Sequence, residues 1–266
     1  MFNFIKPVIG LIDVHSHIVP FTDDGAEDFE EAQELIRNEY LQGVRTIVMT
    51  VHLRNGMFNT PVSKALKHFE ELKWWLGSTD MNDLDLYLSR EYYCDARFMA
   101  ILDGYINGDD EVFFENKKYN PREEIRPFGE KKCILLEFSS GRMQNSEFEI
   151  FIKKASQAGL TPIIAHVERY PAVQNRPTIV YEMKEQGALV QVNCESLLSK
   201  TETTANKVVK ELIKNELVDL VSSDCHNLYD RLPEMKKCYL FLKKEYGVSI
   251  ADGLMRDNAF SLIYDM

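Results

Sequence analysis

The stretch LIDVHSHIVPFTDDGA, residues 11–26, begins as a short apolar run and closes on two histidines, His15 and His17. Alternate residues of an extended strand point to one face. The spacing therefore presents two imidazoles together at the carboxyl end of a strand, with Asp23 and Asp24 in the loop that follows. Imidazole is a frequent metal ligand and general acid/base. The same plan recurs: His52 ends VMTVH, His166 ends PIIAH, and Asp224 and His226 lie in SSDCH. Of the six histidines, only His68, in KALKHFEEL, has the look of an ordinary helix residue.

Outward from that stretch, short apolar runs alternate with longer amphipathic ones. Strands are expected at about residues 11–17, 46–52, 84–92, 133–138, 161–167, 189–193 and 218–223. Helical patterns fall between them, at about 26–42, 63–76, 95–102, 146–158, 179–186, 203–215 and 233–246, with a last helix over 249–263. Gly43, Gly159 and Gly187 each follow a helical pattern, where a terminating glycine belongs. Such alternation builds βαβ units around a parallel sheet. About seven units in 266 residues suit a closed or nearly closed α/β barrel, with a doubly wound open sheet as the alternative. No linker divides the chain, so residues 1–266 are expected to form one domain. The polar segment of about 104–132, with Pro121 and Pro127, reads as an insertion. A small hairpin around Val112–Phe114 is one element it could carry; a functional loop and plain disorder suit its length equally.

Composition narrows the partners. With 31 basic and 42 acidic side chains the chain carries a net charge of −11, which disfavours general nucleic-acid binding while leaving room for a local phosphate site. Five widely spaced cysteines without a CxxC suit reduced thiols in a cytoplasm. The apolar start MFNFIKPVIG is broken by Lys6, Pro7 and Gly10 and is not read as a signal peptide. No apolar run has the length of a membrane span, so no membrane insertion is expected.

In parallel barrels the active site forms at the carboxyl ends of the strands. There the chain places His15, His17, His52, Glu91, Glu137, His166, Asp224 and His226, with Asp24 close behind the first strand. These are too many donors for one ion, and carboxylates bridging ions about 3.5–4 Å apart are the usual arrangement. Imidazole and carboxylate without thiolate suit Mn, Fe or Zn better than Mg. Blander readings stand beside this one. His52 and His166 taken singly suit satisfied core histidines, Glu91 in REYY suits a surface segment, and Asp23 and Asp24 suit helix caps. Glu137 ends an otherwise apolar strand, where an unpaired carboxylate would be costly.

Cys225 and Arg231 have the Cys-x5-Arg spacing of cysteine-dependent phosphatases. The intervening HNLYD has no glycine, and its Asp230 would oppose a phosphate. The spacing is therefore read as coincidence. The Cys225 side chain, lying between Asp224 and His226, is expected to point away from theirs into packing.

Taken in order, DVHSHIVPFTDDGA, TVH, LLEF, IIAHVERY, QVNCESL and SSDCHN resemble the PHP (polymerase and histidinol phosphatase) superfamily. Within it they resemble the bacterial protein-tyrosine phosphatases of capsule and exopolysaccharide operons, the CpsB/YwqE type. The resemblance runs from about Leu11 to the C-terminal helix. It implies a distorted (β/α)7 TIM-like barrel and three divalent metal ions, commonly manganese. It assigns His15, His17 and Asp224 to the first ion, with Glu91 bridging to the second. Glu137 and His166 complete the second, and Asp24, His52 and His226 hold the third. Arg169 and Arg231 match phosphate-binding arginines. The implied reaction is metal-dependent hydrolysis of phosphotyrosine, with Asp224, Arg169 and Arg231 at its centre, on an autophosphorylated tyrosine kinase that controls polysaccharide export.

Three departures stand out: TVH for the usual TPH, Ser89–Arg90 where a glycine commonly precedes the bridging glutamate, and the long 104–132 segment. The nearest rival is a histidinol-phosphate-like phosphatase with the same centre. More distant ones are a PHP exonuclease, disfavoured by the acidic balance, and a metal-binding regulatory protein without catalysis, which would have no use for both arginines.

Overall fold

The computed structural model describes residues 10–141 and 145–264; the expectation for MFNFIKPVIG falls almost wholly outside them. Seven parallel strands run β1 (Leu11–Ser16), β2 (Val44–Leu53), β3 (Asp85–Tyr93), β6 (Cys133–Glu137), β7 (Thr161–Ile164), β8 (Leu189–Asn193) and β9 (Leu220–Ser222), in that spatial order. A two-stranded antiparallel ribbon, β4 (Val112–Phe114) with β5 (Lys117–Tyr119), lies in the 104–132 segment and takes no part in the main sheet. The order is sequential, as right-handed βαβ connections around a barrel require. The open-sheet alternative is thereby set aside.

The barrel closes only narrowly. Between β1 and β9 the ladder reduces to a single parallel bridge, Ser16 to Cys225. The His17 N–H donates to the Cys225 carbonyl (2.8 Å) and the Asp224 N–H to the His15 carbonyl (2.9 Å). Asp13 staples the same seam: its carboxylate accepts the Ser223 N–H at 3.1 Å and the Ser223 hydroxyl. Behind it, buried Glu39 from the helix Phe29–Leu41 stands with its carboxyl pushed well above the usual range, by burial and then by Asp13.

Two packed layers result. Ile12, Val14, Val48, Leu135, Ile163 and Leu220 fill the barrel interior together with Phe128 and Ile263. The larger cluster, including Leu35, Ile47, Leu72, Phe98, Ile152, Val209 and Leu242, lies between the strands and the surrounding helices. Apolar burial on both faces is why these strands read as nearly continuous hydrophobic runs.

Boundaries shift where backbone geometry intervenes. The fifth main strand stops at Ile164 rather than near 167, because His166 adopts a left-handed φ of 32°. Short helices that periodicity cannot detect follow several strands: Pro121–Glu124, Pro171–Asn175 and Cys194–Leu198, the first two opened by proline. The expected single tail helix is three pieces, Val248–Asp252, a π-type turn Gly253–Asp257 and Asn258–Ile263. The 104–132 segment is ordered, and Gly104 admits it: a Cβ there would lie 2.3 Å from Val112 and 2.9 Å from Pro121.

Candidate metal centre

At the carboxyl rim the strands deliver their polar ends to one point. β1 carries His15 and, just beyond its end, His17. β2 carries His52, β3 carries Glu91 and β6 ends in Glu137. His166, Asp224 and His226 come from the turns after β7 and β9. In β1 three residue steps, Asp13 to Ser16, face two in β2, Ile47 to Met49: a bulge of the kind that re-aims side chains beside active sites. His166 and Asp224 both hold positive φ, 32° and 54°. Such strain in residues other than glycine persists only where surroundings over-determine it, typically at functional sites.

The donors assemble into overlapping groups whose ligand atoms lie within 4.8 Å of one another: His15, His17 and Asp224; His15, Glu91 and His166; His52, Glu91 and Glu137; and His17, Asp24, His52 and His226. The first and last contain the sets expected for the first and third ions. The second differs from expectation. Glu91 and His166 meet at 2.9 Å, whereas Glu137 approaches His52 (3.7 Å). Glu91 is fully buried and reaches His15, His17 and His52 at 3.2 Å each, so the surface reading of REYY does not hold. Neither Asp23 nor Asp24 caps the following helix; Asp28 does, accepting the Glu31 N–H.

The donor set fits cations on two observations. First, three imidazoles have their Nδ1 beside an outer oxygen. His15 faces the Gln191 amide oxygen (3.2 Å), His17 faces Asp23 (3.1 Å) and His226 faces the Asp224 carbonyl (3.0 Å). A proton held on each Nδ1 leaves Nε2 as a lone pair toward the centre, which is how outer partners orient metal-binding histidines. Second, His52 Nδ1, His166 Nδ1, His226 Nε2 and Glu137 Oε2 are buried without a hydrogen-bond partner. His226 Nε2 stands 3.4 Å from Asp24 Oδ1 and His52 Nδ1 3.2 Å from Glu91 Oε2, yet the directions suit no hydrogen bond. His52 Nδ1 and His226 Nε2 therefore face carboxylates across the centre without bonding them, while His166 meets Glu91 through Nε2.

Charge tells the same story. Burial alone would raise Glu91 and Asp224, but His15 beside both, His52 beside Glu91 and the arginines beside Asp224 hold them well below the usual carboxylate range. Burial, and then the Glu91 charge, pushes Glu137 up to about 8, and burial brings His52 down to about 4. So many carboxylates in one dry site call for cations.

Arg169 and Arg231 both reach Asp224 Oδ2, at 3.1 and 2.7 Å, with about a third of each side chain open to solvent. Cys225 is fully buried on the other side of the chain, its Sγ 3.8 Å from Glu39, and burial together with Glu39 and Asp13 pushes the thiol well above its ordinary range. It is no nucleophile at neutral pH.

Four participants carried no sequence assignment. Gln191 holds His15 and also accepts the His166 N–H (2.7 Å). Asn193 donates to Asp224 Oδ2 (2.7 Å), and Asp13 staples the seam. The fourth is Arg54, whose guanidinium lies 3.8 Å from Glu137 and over the Tyr93 ring. The alternation of LVQVN, two polar residues on one face of a buried strand, was the available signal for Gln191 and Asn193.

Comparison with known proteins agrees with this geometry. Residues 11–264 match the family profile described as capsular polysaccharide synthesis, CpsB/CapC. The tyrosine-protein phosphatase CpsB of Streptococcus pneumoniae is 32% identical over 262 residues, covering 96% of this chain and 99% of that protein. The tyrosine-protein phosphatase YwqE of Bacillus subtilis is 26% identical over 237 residues, 89% of this chain and 85% of that protein. A crystal structure from work on YwqE and CpsB, described as metal-dependent tyrosine phosphatases, superposes with a TM-score of 0.79 at 25% identity, covering 96% of this chain and 97% of that one.

Proposed function

We propose, from the premise that this chain belongs to the CpsB/CapC family of capsular polysaccharide synthesis, how its rim of imidazoles and carboxylates serves a phosphatase. The protein is a metal-dependent protein-tyrosine phosphatase, a phosphoric monoester hydrolase. The observation that carries the reading is the convergence of nine imidazole and carboxylate side chains on one rim, with Arg169 and Arg231 meeting on Asp224 at its mouth.

In this reading His15, His17 and Asp224 would hold one ion, and Glu91, His166 and Glu137 would serve a second. Asp24, His52 and His226 would hold a third. The oxygen and nitrogen donor set suits manganese, with iron or zinc as substitutes. Bound there, such ions would acidify water toward a pKa of about 7 and draw charge from the phosphoryl oxygens.

The remaining work falls to the chain. Arg169 and Arg231 project planar guanidiniums into the mouth, where phosphate oxygens gather negative charge during transfer. Asp224 fixes both forks, and Asn193 fixes Asp224, so the donors are aimed before substrate arrives. Gln191 and Asp23 keep the Nδ1 protons of His15 and His17 outward. Tyrosine suits the site as leaving group because its phenol, with a pKa of about 10, departs with less protonation than an alkyl alcohol needs. The physiological substrate in this reading is an autophosphorylated tyrosine kinase of polysaccharide export, met in the cytoplasm. No helix among the described residues is long and apolar enough to cross a membrane.

The deciding experiment couples metal analysis to assays on phosphotyrosine, phosphoserine and sugar-phosphate substrates, with histidinol phosphate included. Phosphotyrosine turnover should lead, and His15→Ala and Asp224→Ala should lose metal and nearly all turnover together. Full activity in metal-free protein, or histidinol phosphate as the better substrate, would overturn the reading.

A further inference from the structure

Arg90, the residue that departs from the family pattern just before Glu91, and the 104–132 segment meet beside the stretch Phe58–Thr60, whose Phe58 ring stacks on His52 at 5.0 Å. Arg90 and Arg97 are each 1% exposed, and Arg126 is half-buried beside them. Arg90 donates to the Thr60 carbonyl (3.0 Å) and pairs with Glu124 (3.1 Å), both through Nη2; its Nε and Nη1 are buried without a partner. Arg97 donates to Asn59 and, at 3.4 Å, to the Phe58 carbonyl, while its Nε has no partner. The Arg126 Nε is likewise unpartnered.

Arg97 lines a cavity of about 380 Å³ roofed by the β4–β5 ribbon, with Lys117, Lys118, Tyr119 and Glu124 in its walls. Lys118 pairs with Glu111; Lys117 has no ion pair among the described residues. Glu124 is thus the one carboxylate in a wall that also carries Arg97, Lys117 and Lys118, and it already pairs with Arg90, inside a chain whose net charge is −11. Buried cations left uncompensated are costly, and unsatisfied buried donors call for an acceptor. The tethers to residues 58–60 leave N–H groups of both arginines unspent.

We propose that this cavity is a second, non-catalytic anion site that takes a phosphate group. Guanidinium forks match phosphate oxygens, and the cationic excess fits a multiply charged anion better than a single carboxylate. None of the site's lining residues is a proposed metal ligand or one of the arginines at Asp224, so its existence does not depend on the assignment of the metal ligands.

The test is a calorimetric titration of the metal-loaded protein with orthophosphate and, in parallel, with an alkyl phosphonate that cannot be hydrolysed. Wild type should bind at two sites, one of them the metal centre. Lys117→Ala, at an exposed position, should retain turnover yet weaken the second site roughly tenfold, the loss of one charge-assisted contact. Arg97→Gln should abolish it. Tungstate soaked into crystals should give an anomalous peak beside Arg97 in wild type and none in Arg97→Gln. Tighter orthophosphate marks free phosphate as the ligand, and tighter phosphonate marks a phosphate carried on a small molecule. A single-site isotherm up to about 10 mM, the weak end of recognition, overturns the proposal. So does a second site that both variants leave unchanged.

Discussion

Asp224 concentrates the chemistry of this protein in one side chain. One oxygen faces His15 and His17 at 3.3 and 3.5 Å while the other holds Arg169, Arg231 and Asn193. It therefore couples a metal ligand to the phosphate-binding forks. Arg169→Ala should cut kcat/KM by roughly a hundredfold, the scale for losing one aimed transition-state donor, with metal content near normal by elemental analysis. Loss of metal in that variant would assign Arg169 to holding Asp224 rather than phosphate. Asp23 acts one layer out, accepting from His17 and from the His52 N–H. Asp23→Asn should weaken metal affinity by about 10- to 100-fold, as outer partners of metal histidines do, measured by competition with a chelator. Cys225→Ser should keep most activity, because the thiol packs against Glu39 and touches no substrate; a dead enzyme of normal fold would restore the thiol as nucleophile.

At the scale of elements, the long pieces were legible and the short ones were not. Strand β8 was read at its observed bounds, Leu189–Asn193, because Gly187 ends the helix before it and the alternating run closes on Asn193. Pro171–Asn175 and Cys194–Leu198 are too short for a 3.6-residue period to register. Nine candidate site residues were legible, eight because they fall at or just past strand ends and Asp24 because it lies in the loop behind the first, yet their grouping was not, since which carboxylate meets which imidazole depends on strand tilt and register. The DDGA loop shows the same dependence. A Cβ on Gly25 would fall 2.0 Å from the His17 carbonyl oxygen, so the loop passes against the strand that carries two ligands. Gly25→Ala should destabilise the fold by on the order of 1–3 kcal/mol, the range for overpacking, read from the denaturant midpoint. It should also lower metal content, because His17 has to move.

For the whole molecule, the barrel is a frame held by its own chemistry. Its seam between β1 and β9 has one bridge, the Asp13 staple and the donors on either side, so ions bound there would tie the two ends of the sheet together. Binding to the native state alone stabilises it by linkage, about 2.7 kcal/mol per site at a hundredfold excess over Kd. Chelation should abolish activity and lower the melting temperature by several degrees, at about 2–4 °C per kcal/mol for a chain of this size, with Mn²⁺ restoring both. Activity that survives exhaustive chelation would contradict the metal mechanism.

By itself the sequence determined the strand–helix alternation, the barrel class and the identity of the rim donors. Those follow from local periodicity and from residue types whose chemistry has few other uses. Only the tertiary structure decided the partners. Glu91 became a fully buried hub, Gln191 and Asn193 became orienting groups, and Arg90, a mere departure from a pattern, became a buried partner of Glu124. Those roles depend on distances between residues up to about two hundred positions apart in the chain, as with Asp13 and Ser223. Such distances are set by closure of the barrel, a geometry to which every strand contributes and which no single segment encodes.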